Sequence, residues 1–154
     1  MKFICPLIVV EDIQRSRNFY ENILEQKIKF DFGENVTFHG DFAIHLGSHY
    51  KGLIDEKEIK HGGNNFELYF EFDDVMQIES RLKENGVVFI HHTREQPWRQ
   101  NVLRFYDPDE NIIEVGESLE HLAYRLHKEG MAISEISKTI YMSNDFIEEA
   151  VKKY

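Results

Sequence analysis

The chain opens on an apolar run, Phe3 to Val10, that stops at Glu11-Asp12. A short apolar run bounded by polar residues reads as a buried strand. Asp12 is a helix-capping type, and Phe19, Tyr20, Ile23 and Leu24 recur behind it on one helical face, which predicts a helix to about Leu24. Three short strands follow, near 27–32, 35–39 and 42–47, punctuated by Gly33 and Gly40. Residues 48–64 are polar, end in Gly62-Gly63 and read as a linker. The pattern then restarts. Phe66 to Phe72 is a strand, and Asp73-Asp74 cap a helix whose inner face carries Val75, Ile78 and Leu82. Gln77, three residues after Asp74, suits a capping box, and Gly86 stops the helix. Strands near 87–91, 101–106 and 111–116 complete the second unit.

The order βαβββ therefore occurs twice, at a period of about 60 residues. The fold class this predicts is α+β: two paired βαβββ modules, residues 1–50 and 64–117, forming a curved half-open barrel with a cleft between them. After Glu117 the spacing becomes helical throughout. Leu119, Leu122 and Leu126 lie on one helix ended by Gly130, and helices near 133–140 and from Ser143 onward give a helix-turn-helix outline. This extension, 118–154, holds too many apolar residues to stay solvated. It is expected to pack on the domain or on a second chain, with a homodimer favoured.

Chemistry concentrates where polar residues interrupt strands. In NVLRFYDPDENIIEVGE, residues 101–117, a turn built on Asp107, Pro108, Asp109 and Asn111 joins two strands. Alternation puts Ile112, Glu114 and Gly116 on one face of the second strand. A carboxylate among apolar neighbours is costly unless it is paired, hydrogen-bonded or metal-bound, so Glu114 is a functional candidate. By the same alternation Cys5 faces with Leu7 and Val9, His45 with Ala43 and Gly47, Glu67 with Tyr69 and Glu71, and Arg104 with Tyr106. The loop Glu95-Gln96-Pro97-Trp98-Arg99-Gln100 offers an indole and a guanidinium, suited to a planar or anionic ligand.

The 101–117 segment, and the opening FICPLIVVEDIQRSRNFYENIL, resemble the vicinal-oxygen-chelate superfamily, which includes glyoxalase I, bleomycin-resistance proteins, fosfomycin-resistance enzymes and extradiol dioxygenases. The resemblance spans about residues 1–117. It implies metal ligands on the first and last strands of each module, which here are Cys5, His45, Glu67 and Glu114. It implies a divalent ion (Zn, Ni, Mn or Fe), a small oxygen-bearing substrate bound near Tyr69, Trp98, Arg99 and Arg104, and Glu67 or Glu114 as proton-transfer base. The implied activity is that of a lyase, isomerase or dioxygenase. Superfamily members usually carry His near positions 5 and 67, so this set departs from their pattern.

Each residue also has a plainer role. Cys5 suits a small core position, His45 a hydrogen-bonded buried imidazole, and Trp98 a plug at the barrel end. Glu67 and Glu114 could be ion-paired to Arg104 without any metal. That alternative corresponds to a non-catalytic protein that sequesters a drug or metabolite. The formal net charge of −10 argues against nucleic acid and anionic membranes as partners, and the acidic last helix argues against DNA for the extension. One cysteine precludes an internal disulfide and, with no secretion signal, suggests a cytoplasmic setting.

Overall fold

The computed structural model describes residues 1–154, which divide into two compact units. Unit one comprises 1–66 together with 106–112, and unit two comprises 67–105 together with 113–154.

Unit one contains β1 (Leu7–Val10), α1 (Ile13–Asn18, continued by a π-helical turn over Phe19–Ile23), β2 (Ile28–Asp31), β3 (Asn35–Phe38), β4 (Ala43–Leu46) and α2 (Gly47–Leu53). Asp12 caps α1 by accepting from the amides of Gln14 and Arg15, which satisfies two of the free N–H groups of the first turn. The sheet order is β1-β4-β3-β2, with β1 parallel to β4 and the other pairs antiparallel. Its core is aromatic: the Tyr20 ring lies 5.7 Å from Phe38 and 5.2 Å from Phe42.

The Asp-Pro-Asp turn ends in this core. Asp107 accepts from the Tyr20 hydroxyl at 2.7 Å and from the Asn111 amide at 2.8 Å. Asp109 accepts from the Glu11 amide at 2.8 Å and the Ser16 hydroxyl at 2.9 Å, and pairs with Arg15 at 3.1 Å. Burial, reinforced by the Asp107 charge, holds the Tyr20 phenol well above its ordinary range, so it remains a donor.

Unit two contains β5 (Glu67–Glu71), α3 (Val75–Glu84), β6 (Phe89–Glu95), most of β7 (Asn101–Tyr106) and β8 (Ile112–Gly116), then α4 (Leu119–Lys128), α5 (Ile133–Ile140) and α6 (Asn144–Lys153). Its sheet order, β5-β8-β7-β6, repeats that of unit one, and both sheets are four-stranded and mixed. The fold is α+β, as the doubled pattern predicts. Asp74 accepts from the Gln77 amide at 3.0 Å, and Gly86 has φ +68°, so the start and stop signals of α3 both operate.

Two elements differ from expectation. The segment read as a polar linker begins with a helix, α2, which has too few turns and too little apolar periodicity to announce itself. Strand β6 runs on to Glu95, because Arg94 and Glu95 stay paired with Val102 and Asn101 beyond two register shifts. In the extension, Leu122, Leu126, Ile136, Ile140 and Ile147 are buried together in one cluster. Burying each such side chain stabilises by roughly 1.5–3 kcal/mol. The extension therefore folds as part of unit two, with Ser118 capping α4 through the His121 amide and Ser143 capping α6 through the Phe146 amide. No helix is long and apolar enough to cross a membrane.

Candidate functional site

The sheet of unit two assembles the largest group of sequence-selected polar residues. Glu67 on β5, Arg104 on β7 and Glu114 on β8 form one ion cluster. Arg104 Nε donates to Glu67 Oε2 at 3.0 Å, and its Nη2 pairs with Glu114, which is 6% exposed. A third contact comes from His91, directly across from Arg104 in the β6–β7 register. His91 Nδ1 lies 2.9 Å from the His92 carbonyl, so Nδ1 carries the proton. Its Nε2 is then free to accept from Arg104 Nη1 at 3.3 Å.

A second chain of bonds leads from Glu71 to the loop between β6 and β7. The Tyr69 hydroxyl donates to Glu71 at 3.1 Å and accepts from Gln100 Nε2 at 2.9 Å, while Gln100 Oε1 accepts from the Trp98 indole at 2.8 Å. Burial, with the Glu71 charge adding to it against the Gln100 hydrogen bond, pushes the Tyr69 phenol up to about 12. Gly116 makes this arrangement possible. A Cβ there would lie 2.9 Å from Gln100 Nε2 and 3.0 Å from Tyr69 Cε2. Trp98 keeps 43% of its surface exposed. Arg99 is engaged elsewhere: it pairs with Glu95 at 2.9 Å and Glu129 at 3.0 Å, and its carbonyl accepts from Arg125.

His45 and Cys5 belong to unit one. His45 is 7% exposed, and both of its ring nitrogens are occupied. Asn35, its cross-strand partner, donates from Nδ2 to His45 Nδ1 at 3.1 Å. With Nδ1 accepting, Nε2 carries the proton and donates to His49 Nδ1 at 2.7 Å. Burial, then the neighbouring His49, lowers the His45 pKa, so the neutral ring is favoured. Cys5 is a half-buried free thiol just ahead of β1.

Residues 3–120 match the model of the glyoxalase-like domain family. The chain belongs to that family. Among its relatives is the uncharacterised protein YraH of Bacillus subtilis, 30% identical over 134 residues that span 77% of this chain and all of YraH. A protein of unknown function from Agrobacterium tumefaciens, solved by crystallography, is 42% identical, with a TM-score of 0.70 over 77% of this chain and 94% of the other. A glyoxalase/bleomycin resistance protein/dioxygenase superfamily member from Sphaerobacter thermophilus is 25% identical, with a TM-score of 0.58 over 77% of this chain and 98% of its own. The family match ends inside α4, so most of the extension lies outside it.

Glyoxalase-like proteins usually use a divalent metal. The donors here do not fit one as they stand. Neither unit by itself gathers three His, Cys, Asp or Glu side chains placed to hold an ion. Glu67 and Glu114 already share a cation, the Arg104 guanidinium, which would repel a metal approaching the same oxygens. His45 has no free lone pair, because one nitrogen accepts from Asn35 and the other donates to His49. His49, Asn35 and His91 are additions to the residues that the sequence points to, and Gln100 enters there only as part of the Glu95–Gln100 loop. Asn35 and His91 sit directly across from His45 and Arg104, a register that the local pattern does not carry.

Proposed function

We propose that this glyoxalase-like protein is a metal-independent small-molecule binding protein whose ligand rests on the sheet of unit two. The observation that supports this reading most is the Arg104 guanidinium between Glu67 and Glu114, in the position where a catalytic ion would need free carboxylates. The exposed Trp98 indole, tied through Gln100 to Tyr69, supplies aromatic surface in the same unit. Glu67, Glu71 and Glu114 against Arg104 leave this face rich in carboxylates. A flat ligand carrying positive charge suits an acidic, aromatic-walled surface.

The test uses the only tryptophan in the chain. Purified protein, analysed for metal and then held in chelator, is titrated with a panel of planar cationic, neutral and anionic compounds while Trp98 emission is followed. The reading expects no stoichiometric metal, and a saturable emission change for cationic compounds that survives chelation. A divalent ion retained at one per chain, with ligand response lost in chelator, would establish the metal-dependent enzyme instead.

A further inference from the structure

The loop between β6 and β7 carries Trp98 and Gln100, and the first helix of the C-terminal extension is bonded to it. Ser118 caps α4, and Leu122 and Leu126 bury its inner face. Arg125 and Glu129, one turn apart on the same helix, reach the loop. Arg125 Nη2 donates to the Arg99 carbonyl at 2.6 Å. The same guanidinium spans the Glu117 carboxylate, with Nε 2.9 Å from one oxygen and Nη2 3.0 Å from the other. Glu117 is 1% exposed, so this bidentate pair is a fixed point and not a solvated ion pair. Glu129 closes the arrangement, accepting from Arg125 Nη1 at 2.7 Å and from Arg99 Nη2 at 3.0 Å.

The bonds continue from this fixed point to the aromatic groups of the proposed ligand site. The Glu117 carbonyl accepts from Gln100 Nε2 at 2.6 Å. That nitrogen has two protons, and the second goes to the Tyr69 hydroxyl, while the Gln100 oxygen receives the Trp98 indole. The loop needs this support. Arg99 sits at φ +73°, a left-handed backbone that is costly for a residue with a Cβ and persists where its surroundings hold it. Both of its backbone groups are taken: its amide donates to the Gln96 carbonyl at 2.8 Å, and its carbonyl is the one that Arg125 holds.

We infer that α4 is a built-in clamp on the ligand site and that Arg125 is its positioning residue, fixing the Trp98 loop and, through Glu117 and Gln100, the Tyr69 hydroxyl before a ligand arrives. A loop ordered in advance spares the ligand the cost of ordering it. Arg125 and Glu129 lie beyond the residues that match the family model, which gives part of the extension a role in the site of the family domain. The inference rests on the reading that the ligand binds at the sheet of unit two.

The experiment follows the only tryptophan, Trp98, by time-resolved anisotropy in the full chain without ligand, which separates nanosecond loop motion from tumbling. Arg125→Lys keeps a cation beside Glu117, but one ammonium does not span both carboxylate oxygens and the Arg99 carbonyl. The amplitude of the fast component is expected to rise about twofold or more. Ile147→Val, in the buried cluster of the extension, lowers the melting temperature and should leave that amplitude at the wild-type value. Glu129→Gln, a milder change at the exposed end of the clamp, should raise it less than Arg125→Lys does, and it decides alone if Arg125→Lys does not fold. Calorimetric titration with 1-methylquinolinium, a planar cation, should show affinity about threefold to tenfold weaker in Arg125→Lys and unchanged in Ile147→Val. Wild-type anisotropy in the clamp variants, or a rise in Ile147→Val equal to theirs, would overturn the clamp. Unaltered affinity in Arg125→Lys alongside a mobile Trp98 would overturn the positioning role. If the wild type binds no planar cation, the proposed function fails, and the anisotropy still decides for or against the clamp.

Discussion

The two sheets share one strand order and one βαβββ pattern, yet they treat polar residues in opposite ways. On the sheet of unit one, His45 is kept neutral and both ring nitrogens are spent on Asn35 and His49. On the sheet of unit two, Arg104 gathers Glu67, Glu114 and His91 into a charged, half-exposed cluster. Unit one places its buried carboxylates at the Asp107–Asp109 turn, where they receive hydrogen bonds from the core and the helix start. A repeated backbone therefore does not imply repeated chemistry. In this chain the His45 ring of the first sheet is spent on internal hydrogen bonds, and the second sheet offers charge and aromatic surface.

The largest expected effect tests the structural half of that contrast. Asp107→Ala removes the acceptor of the Tyr20 hydroxyl and of the Asn111 amide, and leaves a fully buried phenol unsatisfied. The expected loss is roughly 4 kcal/mol of folding stability, measured by urea denaturation. Tyr20→Phe should cost much less, because it removes the orphan along with the bond. Equal stability of Asp107→Ala and wild type would mean that the turn is merely a connector.

Next is the cluster on the sheet of unit two. Arg104→Met strands the buried Glu114 carboxylate, at an expected cost of roughly 3 kcal/mol, and adding Glu114→Gln should recover much of it. The single variant also frees two carboxylates, so on the metal-independent reading it should bind Zn²⁺ or Mn²⁺ more tightly than the wild type does. Tight metal uptake by the wild type, undiminished by Glu114→Gln, would break the comparison between the sheets.

Acid sensitivity separates the charged groups further. Glu79 sits under β6 with Lys83 and the Thr93 amide, which lies 2.8 Å away. Burial works to raise its pKa, but the hydrogen bonds from Lys83 and Thr93 prevail and bring it to about 2 from 4.5. A carboxylate depressed in the folded state binds protons more readily when unfolded. Its stabilisation is present above about pH 4.5 and is lost as pH falls toward 2. Because Lys83 is half-exposed, that stabilisation is discounted to roughly 2 kcal/mol. Glu79→Gln should lower stability by about this amount at pH 7 and show a flatter acid limb; parallel acid limbs would show that Glu79 carries none of it.

Much of this architecture is written in local patterns. The capping aspartates, the stop glycines and the helical spacing of Leu119, Leu122 and Leu126 each act within a few residues, so sequence alone exposes them. Alternation likewise put Glu67 with Tyr69 and set Glu114 apart, and the ion pairs of Arg104 with both glutamates follow one of the two readings that alternation left open. What sequence does not carry is register. Nothing in the local pattern of His91-His92 says that His91 faces Arg104, because that depends on where β6 and β7 align across a bulge. His49 escaped for a related reason: it lies on α2, a helix too short to show a period, and meets His45 only because that helix starts directly after β4. Arg99 shows the reverse case. Its left-handed backbone, φ +73°, follows from the tight loop between Gln96 and Gln100, and its side chain reaches Glu95 and Glu129 rather than the Tyr69 side chain.

The smallest expected effect bears on the quieter sheet. His45 is a base whose folded-state pKa is lowered, first by burial and then by His49, with Glu34 opposing. The unfolded chain therefore takes the proton more readily than the folded chain. Above the ordinary imidazole value of 6.5 both states are neutral and His45 contributes no pH dependence. As pH falls below 6.5, stability declines until the folded ring also protonates. A Gln at this position can still accept from Asn35 and donate to His49, but it does not titrate. Urea midpoints of wild type and His45→Gln should then differ by a constant amount at pH 7 and above, with the wild type losing ground to the variant toward pH 5. If the wild type instead gains on the variant over that interval, protonated His45 is favoured in the folded chain. The imidazole would then face an anionic partner, and the sheet of unit one would have to be counted as charged like its counterpart.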